Sequence, residues 1–136
     1  MNRLTKQLIR DEGLKLKPYT DTVGKLTIGV GRNLEDNGIS EAEAIHMLQN
    51  DINTSERELS RYSWFMQLDP IRRDAIINMH FNLGLPRLLT FRSMIAALDD
   101  GNYTKAANEA LDSKWAQQVG ERATRIAKQI KTGEYQ

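Results

Sequence analysis

The stretch that decides the fold lies at residues 11–31 and reads DEGLKLKPYTDTVGKLTIGVG. The segment before it has apolar residues at helical spacing, and Gly13 is a residue type favoured just after a helix. Beyond Gly13, residues that favour strands dominate, apolar and polar residues alternate at 26–30, and Gly24 marks a turn. The sequence therefore predicts a helix followed directly by a small antiparallel hairpin.

The rest of the chain predicts helices. Ser40 and Glu43 form a capping box, and the helix that they begin can run to about residue 60, a length of roughly 30 Å. Asp69 and Pro70 have the character of an N-cap and a first helical residue, and the apolar segment that follows is typical of a buried central helix. A polar loop is expected at 33–38. Further helices are predicted at 91–99, at 103–111 and in the segment that ends before Gly133.

We therefore expect a mainly helical α+β fold with two lobes in one folding unit. Residues 1–60 would hold the first helix, the hairpin lobe and the connecting helix, and residues 61–136 would form a helical lobe. A length of 136 residues with 40% apolar content suits a single domain. Without cysteine, disulfides and thiolate chemistry are excluded, and with only two histidines we expect no metal and no cofactor.

Charge and hydropathy argue against two classes of partner. The net charge is +1 and the pI is about 8.0, below the value of about 9 that is typical of nucleic-acid-binding domains. The N-terminus lacks the run of about 7–15 apolar residues of a signal peptide, and no stretch reaches the roughly 18 of a membrane span. We expect no signal peptide, no nucleic-acid partner, no stable membrane insertion and accumulation in the cytoplasm of the producing cell.

Glu12 stands where a carboxylate is locally unfavourable, at the negative end of the predicted first helix and beside Asp11. A residue that breaks a local rule is a functional candidate, and a carboxylic acid kept protonated can serve as a general acid. Asp21 lies near the tip of the first hairpin arm, and Thr27 lies nearly opposite on the second. These groups could equip an inverting glycosidase. They could equally be surface charges and a strand residue, so their spacing alone leaves the function open.

Residues 11–31 resemble the active-site signature of the T-even phage lysozymes, glycoside hydrolase family 24. Glu12, Asp21 and Thr27 stand at the spacing of that family, but Arg32 replaces the histidine that follows Gly-x-Gly in most relatives. The resemblance implies that Glu12 is the general acid. It also implies that Asp21 supports the attacking water or the nascent cation and that Thr27 helps to place the water. The similarity continues at residues 72–81, 113–115, 122–126 and 131–133.

Four further residues match supporting positions of the family. Arg122 matches an arginine that pairs with the catalytic glutamate across the lobes, although it could also be a solvated helix residue. Asn78 lies within the apolar central helix, where it either braces this network or satisfies a neighbouring backbone group. Ser93 and Phe91 resemble residues that line the sugar groove, and a helix cap and core packing are their alternatives.

The resemblance implies an endolysin that cleaves the β-1,4 bond between N-acetylmuramic acid and N-acetylglucosamine in peptidoglycan. We expect a monomer made by a phage or prophage for host lysis. It would stay in the host cytoplasm until a separate membrane-permeabilising protein gives it access to the periplasm and the cell wall. Two alternatives remain. A lytic transglycosylase cleaves the same bond without water and has no use for Asp21 and Thr27. A non-catalytic glycan-binding module does not need Glu12, Asp21 and Thr27 together.

Overall fold

A computed structural model describes all 136 residues and confirms a mainly helical α+β fold. It divides into two compact units, unit 1 (Met1–Met47) and unit 2 (Leu48–Gln136). The elements in chain order are α1 (Arg3–Glu12), β1 (Lys15–Thr20), β2 (Leu26–Gly29), β3 (Arg32–Asn33), α2 (Leu34–Asn37), α3 (Glu41–Leu59), α4 (Ser63–Met66), α5 (Pro70–Leu83), α6 (Leu85–Leu88), α7 (Arg92–Asp99), α8 (Tyr103–Leu111), α9 (Lys114–Val119) and α10 (Glu121–Thr132).

Unit 1 contains the predicted hairpin, extended to a three-stranded antiparallel sheet in the order β1-β2-β3. Thr27 pairs with Tyr19 on one side and with Asn33 on the other. The third strand and α2 occupy the segment that was predicted as a polar loop at 33–38, so that prediction was wrong. A two-residue strand and a one-turn helix are too short to show a hydrophobic period. The side chain of Asn33 caps α2 by accepting a hydrogen bond from the backbone N–H of Asp36 at 3.1 Å.

Polar contacts rather than an apolar core organise unit 1, where Thr27 is the only buried residue. The predicted capping box is one such contact. The backbone N–H of Glu43 donates to Ser40 Oγ at 3.1 Å, and the backbone N–H of Ser40 donates to Glu43 Oε1 at 2.9 Å. The start of α3 is therefore held by two reciprocal bonds.

Helix α3 crosses the boundary between the units, which falls at 47/48. The sequence analysis instead placed the boundary between the lobes at 60/61, just after this helix ends at Leu59. No helix of the structure has both the length and the apolar character needed to cross a membrane.

Unit 2 holds the hydrophobic core. Helix α5 begins as predicted, with the side chain of Asp69 accepting from the backbone N–H of Arg72 and with Pro70 at the first helical position. It packs against α4, α6 and α10 and buries one face. The sequence predicts a buried central helix, and α5 buries six of its residues, although Phe81 is 47% exposed. Helices α7, α8 and α10 confirm their predictions, whereas the short α4, α6 and α9 were not predicted.

A buried polar cluster accompanies this core. The ring of His80, on α5, lies 2.9 Å from Ser55 Oγ through Nδ1 and 2.7 Å from Glu58 Oε2 through Nε2. Ser55 and His80 are both buried, and Ser55 and Leu59 are the only buried residues of α3. These hydrogen bonds therefore contribute to the attachment of α3 to α5.

Candidate active site

Glu12 is the last residue of α1, as the sequence predicted. The helix ends there because Gly13 adopts a φ of +82° and its N–H donates to the carbonyl of Ile9 at 2.8 Å. The carboxyl group of Glu12 lies against the turn between β2 and β3. A Cβ atom placed on Gly31 would stand only 2.9 Å from Glu12 Oε2, so only glycine allows this approach.

Asp21 follows β1 directly and is oriented by backbone groups. Its Oδ1 accepts hydrogen bonds from the N–H of Val23 at 2.9 Å and from the N–H of Lys25 at 2.8 Å. Its own N–H donates to the carbonyl of Lys25 at 2.9 Å. Because both bonds to the carboxylate go to Oδ1, Oδ2 keeps its capacity to accept a hydrogen bond from water.

Thr27 is connected to Asp21 through the backbone of Lys25. The sequence placed Thr27 nearly opposite Asp21, whereas its strand partner is Tyr19. The hydroxyl of Thr27 donates to the same Lys25 carbonyl at 2.9 Å, and the residue is 3% exposed. Since the hydroxyl hydrogen is used in this bond, Oγ1 can act toward water only as an acceptor.

Arg122 of α10 and Asn78 of α5 are in contact within unit 2. Arg122 Nη2 donates to Asn78 Oδ1 at 2.8 Å and to the Asn78 carbonyl at 3.3 Å, and Nε donates to Oδ1 at 3.1 Å. Of the two alternatives for Asn78, the structure contains the side-chain network with Arg122. The expected pairing of Arg122 with Glu12 stays a prediction.

Phe91 and Ser93 line one cavity of about 330 Å³ in unit 2. Phe91 precedes α7 and meets Trp115 edge to face, with ring centroids 6.1 Å apart. Ser93 is exposed in the first turn of α7, and no side chain caps that helix. The same cavity is lined by Glu109 and Asp112, two carboxylates that the sequence did not single out.

The pattern of Glu12, Asp21 and Thr27 lies within residues 10–130, which match the family model described as phage lysozyme. The chain belongs to the phage lysozyme family. It is 29% identical to "Probable T4-type lysozyme 1" of Dictyostelium discoideum, with 90% of each chain covered. It is also 31% identical to "Pre-baseplate central spike protein Gp5" of Enterobacteria phage T4, over 96% of this chain and 28% of that protein.

Membership of the phage lysozyme family makes the chain a lysozyme-like peptidoglycan hydrolase. A third relative, "Probable T4-type lysozyme 2" of Dictyostelium discoideum, is 26% identical over 98% of this chain and 96% of its own length. Because the chain is an enzyme of this family, the alternative of a non-catalytic glycan-binding module does not apply.

One feature of this phage lysozyme family member that the sequence did not predict is the partner of Arg32. Its guanidinium donates to both carboxylate oxygens of Glu43, from Nη1 at 3.0 Å and from Nη2 at 2.9 Å. These bonds and those from Ser40 lower the pKa of Glu43 to about 2. The Gly-x-Gly motif before Arg32 draws attention to this arginine in the sequence. Its partner Glu43 lies eleven residues further along the chain, and no periodic pattern of residues indicates the pairing.

Proposed function

We propose that this enzyme hydrolyses the β-1,4 bond between N-acetylmuramic acid and N-acetylglucosamine with inversion at the anomeric carbon. Glu12 is the general acid, Asp21 is the general base, and Thr27 helps to place the water. Arg122, Asn78, Ser93 and Phe91 support the site or bind the glycan. The reaction uses no cofactor, and the protein acts as a monomer without nucleic acid.

The hydrogen bonding of the Lys25 backbone is the observation that carries this proposal. This backbone binds Asp21 through two hydrogen bonds and Thr27 through a third. Asp21 Oδ2 and Thr27 Oγ1 are thereby left as acceptors, and one water molecule has two hydrogens to donate. A water held in this way presents a lone pair to an anomeric carbon.

The roles follow from the charge changes of an inverting reaction. Glu12 donates its proton to the glycosidic oxygen as the bond to the anomeric carbon breaks. The water attacks the opposite face of the sugar, and its proton passes to Asp21. Inverting glycosidases separate the two carboxyl groups by about 6.5–9.5 Å so that this water fits between them and the sugar. A helix end and a hairpin turn, on different elements, suit such a separation.

The anomeric form of the first product tests this mechanism. Soluble glycan strands would be digested and followed by ¹H NMR before mutarotation. We expect reducing N-acetylmuramic acid in the α configuration. Initial β product would contradict inversion, and 1,6-anhydro ends would replace hydrolysis with the transglycosylase reaction. The same digestion with Glu12→Gln shows whether the products come from this site.

A second part of the proposal concerns the biological role. We propose, from the sequence, that a phage or prophage makes the enzyme for host lysis and that it waits in the host cytoplasm for a separate membrane-permeabilising protein. Bacteria that produce this chain alone should continue to grow, and they should lyse when the inner membrane is permeabilised. Lysis of untreated cells during production would contradict this part, and so would continued growth after permeabilisation.

A further inference from the structure

The turn of residues 30–31 between β2 and β3 lies against the side chain of Glu12. A Cβ atom on Gly31 would lie 2.9 Å from Oε2, 3.3 Å from Cδ and 3.5 Å from Cβ of Glu12. The backbone of Gly31 is therefore in close contact with the carboxyl group. A small displacement of this turn would change the space in which that group lies.

The residue after Gly31 anchors the turn to the start of α3. Arg32 donates to both oxygens of Glu43, and its Nη1 also donates to the carbonyl of Gly38 at 3.1 Å. Glu43 is itself held by Ser40 in the first turn of α3. Two parallel bonds between a planar guanidinium and a carboxylate restrict distance and orientation together.

We propose that Arg32 and Glu43 are positioning residues for Glu12, because they hold the Gly31 turn against its carboxyl group. This inference rests on the proposed role of Glu12 as the general acid. The side chains of Arg32 and Glu43 are 41% and 43% exposed, and an ion pair in solvent contributes little to stability. Misplacing a reacting group by about 1 Å costs about 100-fold in rate. The effect of the pair should therefore be on turnover rather than on folding.

The Arg32–Glu43 pair, which anchors the turn, keeps both of its charges across the ordinary pH range. Arginine does not deprotonate there, and Glu43 remains ionised down to about pH 2. The other titratable groups around the pair are His46 of α3, which lines a cavity together with Arg32 and Glu43, and Glu12, on the far side of Gly31. An imidazole in place of Arg32 would make the anchor lose its charge as the pH rises through about 6.5.

The test compares Arg32→Met and Arg32→His with the wild type on soluble glycan. Arg32→Met should lower kcat by about 10–100-fold at every pH, with an unchanged KM. The ratio of wild-type to Arg32→His turnover should rise as the pH increases through about 6.5. Because His46 is present in both proteins, it does not account for a change in this ratio. Wild-type kcat in Arg32→Met, or a ratio that does not change with pH, would overturn the proposal.

Two controls separate this proposal from the role of Glu12 itself. Arg125→Met removes an arginine from the exposed pair with Glu121, whose charged atoms are 3.9 Å apart, and should change nothing. The ¹³C signal of the Glu12 carboxyl group should move in Arg32→Met but not in Arg125→Met. An unmoved signal would contradict positioning whatever Glu12 does. If Glu12→Gln were fully active while the signal moved in Arg32→Met, Glu12 would not be the general acid. The positioning of the Glu12 side chain by Arg32 and Glu43 would still stand.

Discussion

Units 1 and 2 differ in what holds them together. Every buried apolar residue belongs to unit 2, from Leu59 to Ile130, whereas unit 1 buries only Thr27. Glu12, Asp21 and Thr27 therefore lie in the part of the molecule that depends on turns and polar bonds. We therefore expect substitutions in unit 1 to act mainly on turnover, and substitutions in the core of unit 2 to act mainly on stability.

Two methionines test this difference with the same chemical change. Met79 in α5 is 0% exposed, and Met47 at the end of unit 1 is 53% exposed. Met79→Ala should lower the free energy of unfolding by about 2–5 kcal/mol, because it leaves a cavity in the core. Met47→Ala should change it by less than about 0.5 kcal/mol. Denaturant unfolding measures both, and equal losses would refute the comparison.

The two histidines provide a smaller test of the same kind. His80→Ala removes the partner of the buried Ser55 hydroxyl and should cost about 1–3 kcal/mol. Glu58, whose side chain is 40% exposed, can be hydrated instead. His46 is exposed on α3, so His46→Ala should stay within about 0.5 kcal/mol of the wild type. A His80→Ala protein as stable as His46→Ala would show that the polar cluster adds nothing to unit 2.

The smallest expected effect concerns the ion pair of unit 1 at low pH. The pKa of Glu43 is lowered to about 2 from an ordinary value of 4.5. The contribution of ionised Glu43 to the stability of the folded state is therefore complete above pH 4.5 and is lost as the pH falls toward 2. A carboxyl ¹³C titration should place the midpoint near 2, and Arg32→Met should raise it toward 4.5. A midpoint that Arg32→Met leaves unchanged would mean that Arg32 does not stabilise this carboxylate.

Much of the fold was predictable because its signals are local. Asp69 and Pro70 at the start of α5, and Ser40 with Glu43 at the start of α3, act within one helical turn, so the sequence displays them directly. β3 and the short α4, α6 and α9 span two to six residues and show no period. The exposure of Phe81 depends on the packing of α5 as a whole, which the residues of that helix alone do not reveal.

The candidate site divides in the same way. The position of Glu12 at a helix end was visible from Gly13. The link between Asp21 and Thr27 was not, because it passes through the backbone of Lys25, and every residue has such a backbone. The contact between Arg122 and Asn78 joins residues 44 apart, and only the packed helices bring them together.

We propose that Glu12 acts in the chemistry rather than in the structure, and its neighbour Asp11 supplies a matched control. Asp11 is exposed and pairs with Arg10 at 2.8 Å. Turnover on soluble glycan and thermal unfolding would be measured for Glu12→Gln and Asp11→Asn side by side. We expect Glu12→Gln to lose about 10²–10⁴-fold in turnover while it unfolds at the wild-type temperature or slightly above, and Asp11→Asn to match the wild type. Wild-type turnover of folded Glu12→Gln, or an equal loss in Asp11→Asn, would contradict this role of Glu12.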